Sequence, residues 1–163
     1  MKFTNSLIKG KLLKRYKRFF ADIKVNNKII TAHCPNTGSM QGLLDEGNEV
    51  LLTEHNDPKR KLKFTLEIIK AKKRFVGVNT HRANKIVNHG LENKLISEFK
   101  NIKNIKPEFK FSDDTRFDFL CDNYLIEVKN VTLFRENDIA EFPDAVTSRG
   151  TKLSLIHISE PTR

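Results

Sequence analysis

Phe20-Ala21-Asp22-Ile23-Lys24-Val25-Asn26-Asn27-Lys28-Ile29-Ile30-Thr31-Ala32-His33-Cys34 is the stretch from which the fold is read. From Phe20 to Val25, Ala21, Ile23 and Val25 share one face while Asp22 and Lys24 share the other, the period-two pattern of a half-buried strand. Asn26-Asn27 follows, and asparagine tolerates the positive φ of a tight hairpin turn. The chain then returns from Lys28 to Cys34 with Ile30, Ala32 and Cys34 on one face. Further on, Gly47-Asn48 precedes a strand-like Glu49–Thr53, and Phe64–Lys70 and Phe75–Val78 read as two more strands. Short strands at regular spacing, with no convincing helix among them, predict a small closed barrel or sandwich. A five-stranded OB-like β-barrel over residues 1–80 is the expected form, since that architecture commonly offers a basic, aromatic-bearing face to nucleic acid.

The pattern changes near Asn79. Ala83, Ile86, Val87, Leu91, Leu95, Ile96 and Phe99 recur at helical spacing, and Gly90 is expected to divide them into two helical pieces. Residues 101–107 read as a polar connector, followed by strands at Glu108–Phe111, Arg116–Leu120 and Tyr124–Lys129. A helix followed by strands implies a second, α/β unit, so the predicted class is α+β.

The 163 residues suit one ordinary domain or two small ones, and 38% hydrophobic with 31% charged residues is enough to build a core. No apolar run approaches a membrane span, and the first twenty residues lack a signal peptide's apolar stretch. The expectation is a cytoplasmic protein with no membrane partner. Cys34 and Cys121 are expected to be reduced, buried thiols rather than a lone disulfide. The net charge of +10 is unevenly placed: residues 1–80 carry 17 Lys+Arg against 7 Asp+Glu, whereas 81–163 carry 13 of each. AT-rich coding would enrich lysine in both halves alike. A localised excess points instead to a polyanion-binding surface.

Two clusters would supply that surface. Lys14-Arg15-Tyr16-Lys17-Arg18-Phe19-Phe20 interleaves cations, which pair with phosphates, and aromatic rings, which stack on bases. Lys59-Arg60-Lys61, after Asp57-Pro58, forms a basic loop. His33-Cys34 is not a metal or nucleophile pair, because adjacent strand residues point to opposite faces; Pro35-Asn36-Thr37-Gly38 reads as a turn. The second half holds Asp118 in Arg-Phe-Asp-Phe and, on the next strand, Glu127-Val128-Lys129. If those strands pair, two carboxylates and an ammonium converge. Carboxylates suit Mg²⁺ or Mn²⁺, and a lysine beside them stabilises charge at an attacked phosphodiester. The alternative is an ordinary ion pair on a half-exposed sheet.

Several blocks together resemble the sugar fermentation stimulation protein family: Arg15–Phe19, His33–Met40, Val78–Thr80, Ile126–Leu133 and Phe142–Gly150, in that order. The resemblance implies a DNA-binding bacterial or archaeal protein with an N-terminal OB-like domain and a second domain similar to PD-(D/E)xK nucleases. It would make Asp118, Glu127 and Lys129 the catalytic motif, with Asp118 and Glu127 on the metal and either Glu92 or Glu98 as the upstream helix acid. The partner implied is DNA, bound without strong sequence specificity. Two alternatives accompany it, an active structure-selective nuclease and a transcriptional regulator of sugar metabolism with an inactive nuclease fold. The likeness runs to about Lys152, so residues 81–152 would be an incomplete α/β nuclease-like domain. Leu153 to Arg163 resembles a translated sequencing adaptor and is expected to be a non-native tail.

Overall fold

The computed structural model describes Lys2, Phe3, residues 6–134 and residues 140–141. The Phe142–Gly150 block and the tail at 153–163 therefore lie outside the described residues. The first half is built from β1 (Ile8–Tyr16), β2 (Phe20–Val25), β3 (Lys28–His33), β4 (Glu49–Glu54), β5 (Phe64–Ala71) and β6 (Arg74–Gly77). β1 pairs antiparallel with both β2 and β4, β4 pairs with β5, and a short parallel seam, Ala32↔Phe64 and His33↔Thr65, joins β3 to β5. That circuit closes a five-stranded barrel of OB connectivity, with β6 added outside it along β5.

The hairpin of β2 and β3 forms as read, with Asn26 and Asn27 both at positive φ. Ala21, Ile23, Ala32 and Cys34 enter the core beside Leu12, Val50, Leu52, Leu66 and Ile69. The count of five barrel strands is right, but the membership differs. Phe75–Val78 is not a barrel strand, and the missing member is β1. Its sequence, Ile-Lys-Gly-Lys-Leu-Leu-Lys-Arg-Tyr, hides the period of two because the register with β2 slips between Leu12 and Lys14. Gly10 is part of the same strand for a steric reason: a Cβ there would lie 2.5 Å from Ile23 Cγ2.

The second half opens with α1 (His81–Glu92) and a 3-10 turn at Ser97–Phe99, then a sheet of β7 (Ile105–Lys110), β8 (Arg116–Cys121) and β9 (Tyr124–Ile126). Gly90 does not divide the helix. It is buried within the last turn, where a Cβ would crowd Ile96 at 3.3 Å. The helix runs on to Glu92 and is closed just beyond it by Lys94, in the left-handed region at φ 56°, with Leu95 N–H donating to Gly90 O and Lys94 N–H to Leu91 O. Ile86 and Leu95, expected on the apolar face, are exposed. The polar connector is shorter than expected, because β7 begins at Ile105; Pro107 is tolerated there because β7 is an edge strand. Phe117, Phe119 and Cys121 are buried, and Leu91, Phe119 and Cys121 form a second core with Val87, Ile96, Phe99 and Ile126 around it. Both cysteines are free and buried. A further short pair joins β10 (Leu133–Phe134) to β11 (Ala140–Glu141).

Candidate nucleic-acid face and carboxylate pair

The basic aromatic cluster occupies the end of β1 and its turn into β2. Lys17 and Arg18 take positive φ of 47° and 61°, so the three-residue turn 17–19 is tight and lifts Lys17, Arg18 and Phe19 into solvent. Phe19 is 44% exposed. Lys14, whose side chain is 69% exposed, lies 3.7 Å from Asp22 Oδ2 and 5.5 Å from the Tyr16 ring centroid. Tyr16 stacks on Phe20 and donates its hydroxyl hydrogen to Asp22 Oδ1. Arg15 differs from its neighbours. Its Nε and Nη2 donate to Arg18 O, and Nη2 also donates to Asn36 O at 2.6 Å, so this guanidinium ties the turn to the loop after β3. That loop is the turn expected at Pro35–Gly38: Asn36 Oδ1 accepts from Gly38 N–H at 2.8 Å. Lys59, Arg60 and Lys61 lie on the β4–β5 loop, all exposed, with Asp57 Oδ1 accepting from Lys59 N–H and Arg60 Nη2 donating to Thr65 Oγ1.

The two candidate carboxylates lie on β8 and on the segment after β9. Asp118 lies on the face of β8 opposite Phe117 and Phe119, as the alternation requires. The β8–β9 register pairs Phe119 with Ile126, so one further step would set Asp118 opposite Glu127. The ladder stops before that step. Asp118 Oδ2 accepts from Val128 N–H at 2.7 Å, so a side chain receives a hydrogen bond that a longer ladder would have used. The expected strand to Lys129 thus ends at Ile126. Glu127 Oε1 accepts from Lys129 Nζ at 2.9 Å, and Glu127 Oε2 is buried. The helix residue that reaches Asp118 is Asn84, donating Nδ2–H to Oδ1 at 2.7 Å. The two glutamates expected there point to other partners: Glu92 accepts from Asn88, and Glu98 accepts from Ser97. Among the described residues no three His, Cys, Asp or Glu side chains cluster as a metal site. Among the described residues the carboxylates at this place are two, Asp118 and Glu127.

Sequence reasoning missed the most buried charge among the described residues. Glu67, 2% exposed on β5, accepts from Thr53 Oγ1, Asn79 Nδ2 and, through both carboxylate oxygens, Arg82. Burial pushes its carboxyl pKa up, but the hydrogen bonds from Arg82, Thr53 and Asn79 outweigh it and hold the group below its ordinary value. Arg82 also stacks over Phe3 at 4.4 Å. The signal was available: one acid among Phe64, Leu66, Ile68 and Ile69 in the strand read over Phe64–Lys70. Asn130 Nδ2 donates to Gly77 O, a further polar tie between the two halves, and Thr80 Oγ1, just before α1, donates to Pro35 O.

The family model described as the SfsA N-terminal OB domain matches residues 13–78, and that of the sugar fermentation stimulation protein RE domain matches 81–160. A sugar fermentation stimulation protein homolog of Pelagibacter ubique is 65% identical over 156 residues, covering 93% of this chain and 67% of the relative. Another, from Alteromonas mediterranea, is 46% identical, with 98% and 73% covered. The structure of Pyrococcus furiosus SfsA in complex with Ca²⁺ superposes at a TM-score of 0.78 with 22% identity, covering 94% of this chain and 66% of that one; this is a likeness of fold. The chain thus spans about two thirds of the length of these relatives. Its first half closes the barrel and its second carries the helix and sheet that the two matched models describe, and the chain belongs to the sugar fermentation stimulation protein family.

Proposed function

We propose that the protein binds DNA without strong sequence specificity through the basic face of its barrel, and that Asp118 and Glu127 are the core of a metal-dependent phosphodiester-cleaving site. The observation that supports binding best is the β1–β2 turn, where Lys14, Lys17, Arg18 and Phe19 are exposed together on the half that carries the whole net charge. Cations there displace counterions from phosphates, and an exposed ring is a stacking platform. Arg15 supports this face from beneath, as a positioning residue.

The donor set of the second half suits Mg²⁺ or Mn²⁺, hard cations that keep several waters and need few protein ligands. Asp118 and Glu127 would hold such an ion, which when bound polarises a phosphodiester and acidifies a water. Asn84 and the Val128 N–H fix the Asp118 carboxylate, while the Lys129 ammonium beside Glu127 would stabilise charge on an attacked phosphate. The Ca²⁺ in the Pyrococcus furiosus relative, another oxygen-seeking cation, is consistent with this reading. The Glu127–Lys129 ion pair also favours a second reading, a DNA-binding regulator whose nuclease-like unit is silent.

Fluorescence anisotropy with a labelled single-stranded oligonucleotide tests the first claim. Replacing Lys14, Lys17 and Arg18 by Ala should flatten the log–log salt slope by about two units, at roughly 0.7 per phosphate contact. An unchanged slope would remove this face from the interface. For the second claim, Asp118→Ala and Glu127→Ala should each abolish Mg²⁺ binding by calorimetry and spare DNA affinity. Lys129→Ala should keep the metal and lose cleavage. Wild-type protein that neither binds the ion nor cleaves would leave the binding-only reading.

A further inference from the structure

A cleft of about 320 Å³ opens where the barrel meets the start of α1. His33 from β3, His55 and Arg60 from the chain between β4 and β5, and His81 and Lys85 from α1 all line it. Glu67 and Arg82 line it too, and they neutralise one another. Glu67 is the only acid among the described lining residues, so the charges of Arg60 and Lys85 stand uncancelled within the cleft. Arg60 is fixed by its bond to Thr65 Oγ1, and His55 Nε2 lies 3.1 Å from that same hydroxyl.

Three histidines invite a metal reading, but among the described residues no three His, Cys, Asp or Glu groups are placed to hold one. Two permanent cations and three ring N–H sources in a concave site describe a receptor for a compact oxyanion instead. We infer that this cleft seats a phosphate group of a nucleic-acid strand, with Arg60 and Lys85 supplying charge and His33, His55 and His81 supplying hydrogen-bond donors. The inference rests on the nucleic-acid reading above and gives it a location.

The strand is favoured over a free anion by what flanks the cleft. Arg60 belongs to the exposed Lys59–Lys61 run on the barrel, and Lys85 follows Asn84, the residue that holds Asp118. A phosphate seated between them would lead a strand from the basic barrel toward the carboxylate pair.

Proton linkage follows from the same groups. Burial lowers the His33 pKa, helped by the charges of Arg60 and His81. Burial also lowers that of His55, with Arg60 and Arg82 acting in the same direction and Glu67 and Asp57 opposing them. Lys85 is the remaining charged group of the lining. Both rings are therefore neutral at pH 7, and an arriving anion favours their protonated forms. Affinity should rise as pH falls from 7.5 to 5.5.

The test uses two probes on the whole chain: inorganic phosphate followed by imidazole NMR, and a 12-nucleotide single strand, with and without a 5′-phosphate, followed by anisotropy. Phosphate should shift the His33 and His55 resonances. Arg60→Ala with Lys85→Ala should weaken the strand by about a hundredfold, two lost charged hydrogen bonds at about 1.5 kcal/mol each amounting to about 3 kcal/mol. His33→Gln, which removes one of the two titrating rings, should make the affinity depend less steeply on pH than in the unaltered protein. A 5′-phosphate that strengthens binding places a strand end in the cleft; equal affinity places an internal phosphodiester there, and both support the inference. Strand binding undiminished in the double variant overturns it, as does a response confined to inorganic phosphate, which would mark an adventitious ion only. If the unaltered protein binds no strand at all, the underlying nucleic-acid reading fails instead.

Discussion

Replacing Arg82 by Met should destabilise the protein by about 3 kcal/mol at pH 7, and by much less in acid. In the structure Arg82 gives two charge-assisted hydrogen bonds to a carboxylate whose side chain is 1% exposed. Removing one partner of a buried ion pair costs about 3–5 kcal/mol because the other charge is stranded. Glu67 retains the Thr53 hydroxyl and the Asn79 amide, and Arg82 itself is 24% exposed, so the lower end of that range applies. For a chain of this size the loss corresponds to a fall in Tm of about 6–12 °C. Glu67's pKa in the folded protein is depressed, so its contribution is present above the unfolded value of about 4.3 and lost as pH falls through the folded value. In the variant, desolvation dominates and the carboxyl pKa rises, so the penalty is full at neutral pH and fades as the group protonates. Urea denaturation at pH 7.5 and pH 4.5 measures both. Adding Glu67→Gln to Arg82→Met should recover part of the loss, because no charge is left buried. A difference below about 1 kcal/mol at pH 7.5, or one independent of pH, would show that the pair contributes little and that the joint between barrel and helix is held by other contacts.

Gly10→Ala should destabilise by about 1–3 kcal/mol, since its Cβ must displace Ile23 Cγ2 at 2.5 Å in a closed core; an unchanged denaturation midpoint would mean that β1 can shift at no cost. Lys94→Gly should act in the opposite direction, raising stability by about 0.5–1 kcal/mol, because Lys94 ends α1 at φ 56° where a side chain is strained. A loss of stability there would indicate that the lysine side chain contributes more than its backbone strain costs.

What could be read from the residues alone was whatever repeats with a short period. The β2–β3 hairpin, with its Asn-Asn turn and inward Ala21, Ile23 and Ala32, announced the barrel because nothing interrupts its alternation. β1 was invisible because a register slip breaks the alternation at Leu12–Lys14 and four cations crowd the strand. The helix boundary was misplaced for a related reason: glycine is a usual helix terminator, but Gly90 is there to admit Ile96, and a lysine takes the left-handed position. At the candidate site, alternation put Asp118 on the face opposite Phe117 and Phe119, but no period could disclose that its carboxylate halts the strand by binding Val128 N–H. Asn84 and Glu67 were missed because their roles are defined by residues 34 and 15 positions away. The boundary drawn at residue 80 by charge falls two residues before Arg82. A barrel cut there would keep a buried carboxylate and lose its counter-ion.

The seam between β3 and β5 has a consequence for how the chain comes to be folded. Two residue pairs, Ala32↔Phe64 and His33↔Thr65, complete the circuit, and they join positions far apart along the chain. Without that seam the first three strands would make an open meander in the order β3-β2-β1, with β3 and its exposed Ile29 along the rim. An unpaired strand edge is a template for a neighbouring chain. Exposed lysines on the same strands, Lys24 on β2 and Lys28 on β3, would oppose such pairing by like-charge repulsion.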